Sequence, residues 1–294
     1  MSSSRPVAIL GATGQLGSDI VRAAAAAGIE HVGLGHADIE ITDATQLSAT
    51  MDRLRPAVVI NSAAFHQVDR CEEDPAEAYR VNAAGALLIA RAAREVGARC
   101  VFVSTDYVFN GRREPETMYV EDDATEPLNV YGASKVAGEQ LVAHALDNHL
   151  IVRVSSLFGV AGARGKGGNF IETILKKARE GGPLKVVNDQ WMTPTYTDDA
   201  GAAIVRLATG AATGVVHVTN PDACTWHAFA SEAVRLAGLS VPVEAVSVSS
   251  FPSKVRRPRN SAMATDRLRD LLGGRLRPWR EALRAYLAAK GHLN

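Results

Sequence analysis

Four apolar residues, Val7–Leu10, run directly into Gly11-Ala12-Thr13-Gly14-Gln15-Leu16-Gly17. Few arrangements restrict a fold so tightly. Glycines spaced G-x-x-G-x-x-G between a strand and a helix let the backbone turn sharply. They also bring it close to a pyrophosphate at the helix N-terminus, where unpaired N–H groups and the helix dipole favour an anion. An ordinary strand-to-helix turn can use the same spacing, so the flanks decide how it is read. Short β-branched runs at Val7–Leu10, His31–Leu34, Ala57–Asn61, Cys100–Ser104 and Leu150–Val154 alternate with Ala-rich stretches such as Ser18–Ala27 and Ala76–Val96. That alternation is the mark of βαβ units feeding a parallel sheet. A Rossmann-type, doubly wound α/β fold is expected.

After Phe158 the regularity fades through the Gly-rich stretch Gly159–Gly168, and helices such as Thr173–Glu180 mix with short strands such as Gly214–Val218. A smaller substrate-binding lobe, interleaved with the dinucleotide domain, fits this change. The expected division is residues 1–155 with about 186–218 in the cofactor domain, and about 156–185 with 219–294 in the lobe. The 294 residues carry 32 Lys plus Arg against 32 Asp plus Glu, so overall charge gives no reason to expect nucleic acid as a partner. Cys71, Cys100 and Cys224 form no C-x-x-C pair, which argues against a disulfide framework or a zinc site and for a reducing cytoplasm. The apolar run before Gly11 is too short for a signal-peptide core or a membrane span, so no membrane association is expected.

Several residues stand where chemistry would need them. Asp38 and Glu40 follow the second strand at the distance where a carboxylate meets an adenosine ribose. No Lys or Arg occurs from His31 through Asp52, so a 2′-phosphate lacks a local clamp and the reading leans to NADH over NADPH. Asn61-Ser62-Ala63-Ala64 closes a strand with small residues that suit a dinucleotide backbone or, equally, tight packing. Ser104-Thr105-Asp106-Tyr107 brings two hydroxyls to a strand's carboxyl end, where open α/β sheets bind ligands. In Tyr131-Gly132-Ala133-Ser134-Lys135, the i and i+4 positions set a phenol beside an ammonium on one helix face. A phenol with a pKa of about 10 becomes a usable proton donor when a cation favours its ionised form.

In these residues the chain resembles the dTDP-4-dehydrorhamnose reductases of the extended short-chain dehydrogenases. The likeness runs through Gly11–Gly17, Ile39–Asp43, Val68-Asp69, Val81-Asn82, Ser104–Gly111, Tyr131–Lys135 with Ala137-Gly138-Glu139, Asn188–Gln190, Pro194-Thr195, Thr225-Trp226 and Arg257–Ser261. The resemblance implies reduction of the C4 ketone of a nucleotide-linked 4-keto-6-deoxy sugar by NADH or NADPH, with dTDP-4-dehydro-L-rhamnose as the leading substrate. Tyr131 would be the proton donor. Lys135 would hold the nicotinamide ribose and tune the phenol, and Thr105 would orient the carbonyl. Gly11, Gly14, Gln15, Leu16, Gly17, Glu40, Ile41, Ala63, Ala64, Phe65 and His66 would line the cofactor. Asp106, Ser156, Asn169, Asn188, Trp191, Arg257 and Asn260 would face the sugar nucleotide. Ser156 departs from a usual Trp and Ala262 from a usual Arg, which leaves the particular sugar open.

Alternatives stay open at this stage: a non-catalytic relative like the regulatory subunit of methionine adenosyltransferase, or a sugar-nucleotide epimerase on the same scaffold. Whether the chain acts alone or as a homodimer is also open. The acidic runs Glu72–Asp74 and Glu121–Asp123 read as solvated surface, and the histidines show no H-x-x-x-H spacing, so no metal ligand is assigned. The basic segment Ser253–Asn260 reads, on composition, as a solvated connection rather than a functional loop.

Overall fold

The computed structural model describes residues 5–114, 117–162, 168–251 and 255–293. Part of the Gly-rich stretch (163–167) and part of the basic segment (252–254) lie outside them. A six-stranded, all-parallel sheet forms the centre. Its first five strands are β1 (Val7–Leu10), β2 (His31–Leu34), β3 (Val58–Asn61), β4 (Arg99–Thr105) and β5 (His149–Val154), joined at one edge by Gly214–His217. The spatial order is β2-β1-β3-β4-β5 and then Gly214–His217.

Alternation along each strand explains why they read as continuous apolar runs. Val7 and Ile9 of β1 enter one core cluster and Ala8 and Leu10 the other, so both faces are covered. Helices Gln15–Ala26 and Thr197–Thr209 pack on the first face. Helices Ala44–Leu54, Ala86–Glu95 and Val130–Ala145 pack on the second. The stretch expected as one helix, Ala76–Val96, is divided: Pro75–Tyr79 passes through a π-helical segment, Arg80–Gly85, before Ala86–Glu95. Such bulges re-aim side chains and are frequent at functional sites.

A third, aromatic cluster lies beyond the sheet, with Phe158, Tyr196, Phe229, Trp279 and Tyr286 buried together. Leu184–Val187 pairs with Val243–Val246 in a separate two-stranded sheet beside helix Phe170–Glu180. Among the described residues no helix is long and apolar enough to cross a membrane.

Candidate active site

The sheet order reverses at β1, so the loops leaving β1 and β3 diverge and open a crevice at the carboxyl ends of the strands. A cleft of about 1100 Å³ runs from there, past the end of β4, to helix Phe170–Glu180. At its first end Gly11 has φ +77°, and a Cβ there would come within 2.7 Å of the Ala63 nitrogen. A Cβ at Gly17 would strike the Gly11 carbonyl. Gly14 caps the Gln15–Ala26 helix without any side-chain bond, so the first-turn N–H groups stay available to an anion. Two buried polar atoms of cleft-lining residues, Gln15 Oε1 and Ser104 Oγ, have no hydrogen-bond partner among the described residues. A glycine cradle, free helix N–H groups and orphaned polar atoms together fit a dinucleotide.

The adenosine end differs from the sequence reading in one residue. Asp38 is exposed and its carboxylate accepts from Gly35 N at 2.7 Å, outside the cleft lining, while Glu40 lines the cleft. Hydrogen bonds from Thr42 hold the Glu40 carboxyl below its ordinary range, aided by the nearby Arg80 guanidinium. Arg80 also lines the cleft, 3.9 Å from Glu40, bonded to the Thr42 hydroxyl and held bidentate by Glu77 at 2.6 and 2.8 Å. A local scan after β2 misses this cation because the π-helical segment delivers it from 40 positions further on. Arg22, in the helix after the glycine turn, is engaged by Asp19 at 2.6 Å and Asp198 at 2.9 Å.

Asn82, in the same π-helical segment, clamps the loop that carries Phe65. It accepts from Phe65 N at 2.9 Å and donates to Phe65 O at 3.0 Å. Its amide also donates to Ser134 Oγ at 3.0 Å, tying the Ala63–His66 loop to the helix that carries Tyr131 and Lys135. That helix starts at Asn129, whose side chain accepts from Gly132 N at 2.8 Å, and Glu72 accepts from Val130 N at 2.8 Å. Gly132 is obligatory, since a Cβ would collide with the Tyr107 carbonyl. The Glu72–Asp74 run is exposed, as expected, and two of its acids also hold helix starts: Glu72 supports this one and Asp74 caps Pro75–Tyr79 at Glu77 N. Similarly, Glu121 accepts from His217 N and Asp123 pairs with Arg113.

Tyr131 and Thr105 meet across the cleft floor. Burial raises the Tyr131 phenol above its ordinary range, and a hydrogen bond with Thr105 opposes the rise. Lys135 is 1% exposed; its Nζ donates to Val103 O at 2.7 Å and lies 3.9 Å from the Phe102 ring centroid. Burial pushes its pKa down to about 7. Asp106 is buried, and burial lifts its carboxyl to about 6 against the pull of Ser261, Ser155 and Thr105. Ser156 holds a left-handed backbone, φ +43°, at the cleft wall. Such a conformation costs a residue with a side chain about 1–2 kcal/mol.

All the expected cofactor-lining residues border the cleft, as do Thr105, Asp106, Ser156, Asn169 and Arg257. Asn188, Trp191 and Asn260 do not. Asn188 accepts from Thr225 at 2.9 Å, and the Trp191 backbone pairs with the segment at Arg259–Ser261. Asn260 is 1% exposed and spends its amide on the carbonyls of Glu114 at 2.8 Å and Thr117 at 3.1 Å. Asn169 has a second task, capping helix Phe170–Glu180 at Glu172 N and donating to Tyr286 at 3.0 Å. The described part of the basic segment, residues 255–260, and the Ser261 that follows it meet the site rather than forming a solvated connection. Arg257 borders the cleft, Arg256 O accepts from Asn129, and Ser261 reaches Asp106. Sequence reading missed Phe170, Ile174, Lys177 and Lys185, which also line the cleft.

Comparison with known proteins accords with this geometry. The family described as RmlD substrate binding domain matches residues 5–291. The spore coat polysaccharide biosynthesis protein SpsK of Bacillus subtilis (strain 168) is 37% identical over 281 residues, covering 96% of each chain. The dTDP-4-dehydrorhamnose reductase of Shigella flexneri is 35% identical over 299 residues, again covering 96% of each. The solved structure of dTDP-4-dehydrorhamnose reductase from Bacillus anthracis in complex with NADP aligns with a TM-score of 0.89 at 35% identity, over 97% of this chain and 99% of that one.

Proposed function

The chain belongs to the dTDP-4-dehydrorhamnose reductase family, and from that membership we propose that it reduces the C4 ketone of a nucleotide-linked 4-keto-6-deoxy sugar, with dTDP-4-dehydro-L-rhamnose as the leading substrate. The observation that carries this reading is the meeting of Thr105, Tyr131 and Lys135 in one cleft with the glycine turn. A bound NADH or NADPH supplies the hydride. Tyr131 gives its proton to the ketone oxygen, and Lys135, one helical turn on, favours the ionised phenol that remains. The division into a cofactor domain and a substrate lobe belongs to the same proposal.

The far wall supports a nucleotide rather than a free sugar. Lys177 and Lys185 are exposed on its rim, beside apolar Phe170, Ile174 and Trp226. Two cations beside an aromatic, apolar wall complement a diphosphate joined to a base. The test is coenzyme oxidation, followed by absorbance, with dTDP-4-dehydro-L-rhamnose and other 4-keto sugar nucleotides. No turnover with any of them would sink the reading.

Coenzyme choice follows from the adenosine end. Glu40 suits a ribose hydroxyl and Arg80 suits a 2′-phosphate, so both coenzymes should serve, which tempers the NADH lean. A charge-assisted bond contributes about 1.5–3 kcal/mol, and about 1.4 kcal/mol is tenfold in kcat/KM. Arg80→Ala should therefore lower kcat/KM for NADPH by about tenfold or more and leave NADH nearly unchanged. Equal losses with both coenzymes would assign Arg80 to holding the loop, not to the phosphate.

A further inference from the structure

A hydroxyl has one proton to give, and at the cleft floor three hydroxyls give theirs to one carboxylate. Thr105 Oγ donates to Asp106 Oδ1 at 3.1 Å. Ser155 Oγ and Ser261 Oγ donate to Oδ2 at 2.9 and 2.5 Å. The Thr105 oxygen also accepts from Tyr107 N at 3.2 Å. Charge-assisted bonds are about twice as strong as neutral ones, so ionised Asp106 outcompetes the neutral phenol for the Thr105 proton. Thr105 then offers Tyr131 only a lone pair.

We propose that Asp106 is a positioning residue that sets the direction of the Thr105 hydroxyl: as a carboxylate it draws that proton away from Tyr131, and as an acid it returns it to the phenol oxygen. Protonated at Oδ1, Asp106 donates to Thr105 Oγ, and the Thr105 proton rotates to Tyr131. No bond to carbon changes, and one solvent proton is taken up by the carboxyl. This inference rests on the reading of Tyr131 as proton donor and extends it to how that donor is tuned.

The groups around the pair come from every neighbouring segment. Tyr107 follows Asp106 and faces Arg257 and Asp69; Lys135 lies one turn beyond Tyr131; Cys71 faces the phenol; and Ser155, just past β5, and Ser261, four residues after Arg257, bond the carboxyl. Of these, Asp106 has a carboxyl lifted to about 6 and Lys135 an ammonium lowered to about 7, so the step that belongs to Asp106 is the one its replacement removes. A hydrogen bond received by a phenolate, and removal of a neighbouring negative charge, both ease ionisation of the phenol. Reduction leaves Tyr131 with phenolate character, so kcat should rise as pH falls through about 6.

The test measures kcat against pH with NADPH and dTDP-4-dehydro-L-rhamnose for the wild type, Asp106→Asn, Thr105→Ser and Thr105→Val. Asparagine cannot titrate and its N–H can donate to Thr105 as the acid does. The inflection near 6 should vanish and the basic limb should move down by about one unit or more, the scale of a neighbouring charge. Thr105→Ser should keep the inflection in full, and Thr105→Val should shrink it to the part that the Asp106 charge exerts through space. Survival of the inflection in Asp106→Asn, or an inflection of undiminished size in Thr105→Val, would overturn the proposal, and the threonine pair decides alone if Asp106→Asn does not fold. A wild type inactive on every 4-keto sugar nucleotide would instead defeat the functional reading. In that case the carboxyl stretch of Asp106 in the free protein, taken as wild type minus Asp106→Asn in the infrared, still decides. Its midpoint near 6 should move up when Thr105 becomes Val, and a midpoint that stays put would refute the coupling.

Discussion

Tyr131→Phe should cut turnover by on the order of 10²–10⁴-fold, the range for loss of a general acid, with dinucleotide affinity nearly unchanged. The phenol stands between two environments. On one side the Val130–Ala145 helix fixes its ring through the Asn129 cap and an edge contact with Tyr107, at a centroid distance of 5.9 Å. On the other its oxygen meets Thr105 at the cleft floor. Removing one oxygen leaves the ring, the cap and the glycine cradle in place, so coenzyme binding has no reason to fail. The proton that must reach the ketone oxygen then has to come from water. Steady-state kcat together with coenzyme fluorescence titration separates the two effects. Near-normal turnover would remove Tyr131 from the chemistry, and a parallel collapse of coenzyme affinity would mean that the substitution had disturbed the cradle.

What the sequence discloses about such a site is what lies close together along the chain. Gly11–Gly17 and Tyr131–Lys135 are legible because the turn and the i, i+4 helix pair are local geometries. β1 and β2 begin and end where the short β-branched runs and flanking glycines predict. Arg80 is illegible for the opposite reason: nothing near Glu40 in sequence predicts that a π-helical segment would return a guanidinium to it. Asn260 shows the reverse error. Its place in a block shared with the reductases makes it a ligand candidate, yet its amide is fully occupied with carbonyls of the 113–117 segment. The acidic runs lie largely at the surface as expected, and the uses that a local reading leaves out, Glu72 at Val130 N and Glu121 at His217 N, are made across the fold.

Lys135→Met should abolish most activity and make the protein more stable at neutral pH. The ammonium is 1% exposed, and burial depresses its pKa from 10.5 to about 7. Between those values the unfolded chain binds a proton that the native state does not, so stability rises with pH across the window and the full penalty is felt below about 7. One pKa unit corresponds to about 1.4 kcal/mol, so a few kcal/mol is the upper bound on what Met could recover. Against that, Met leaves the Val103 carbonyl without the Nζ donor at 2.7 Å, a loss of about 1–3 kcal/mol for a buried unpaired group. A net gain of about 1–2 kcal/mol follows, equivalent to a Tm increase of several degrees for a chain of this size. The gain should be largest at about pH 6 and disappear by about pH 10, where native Lys135 is neutral and its unfolded counterpart is losing its charge. Turnover should nevertheless fall by on the order of 10²-fold or more, because the phenol loses the cation that favours its ionised form. Coenzyme affinity should weaken too if Lys135 also meets the nicotinamide ribose. Thermal unfolding at the two pH values, beside kcat and coenzyme affinity, separates these contributions. A variant less stable than the wild type at both pH values would show that the buried ammonium supports the fold, and that its depressed pKa is not a sacrifice of stability to chemistry.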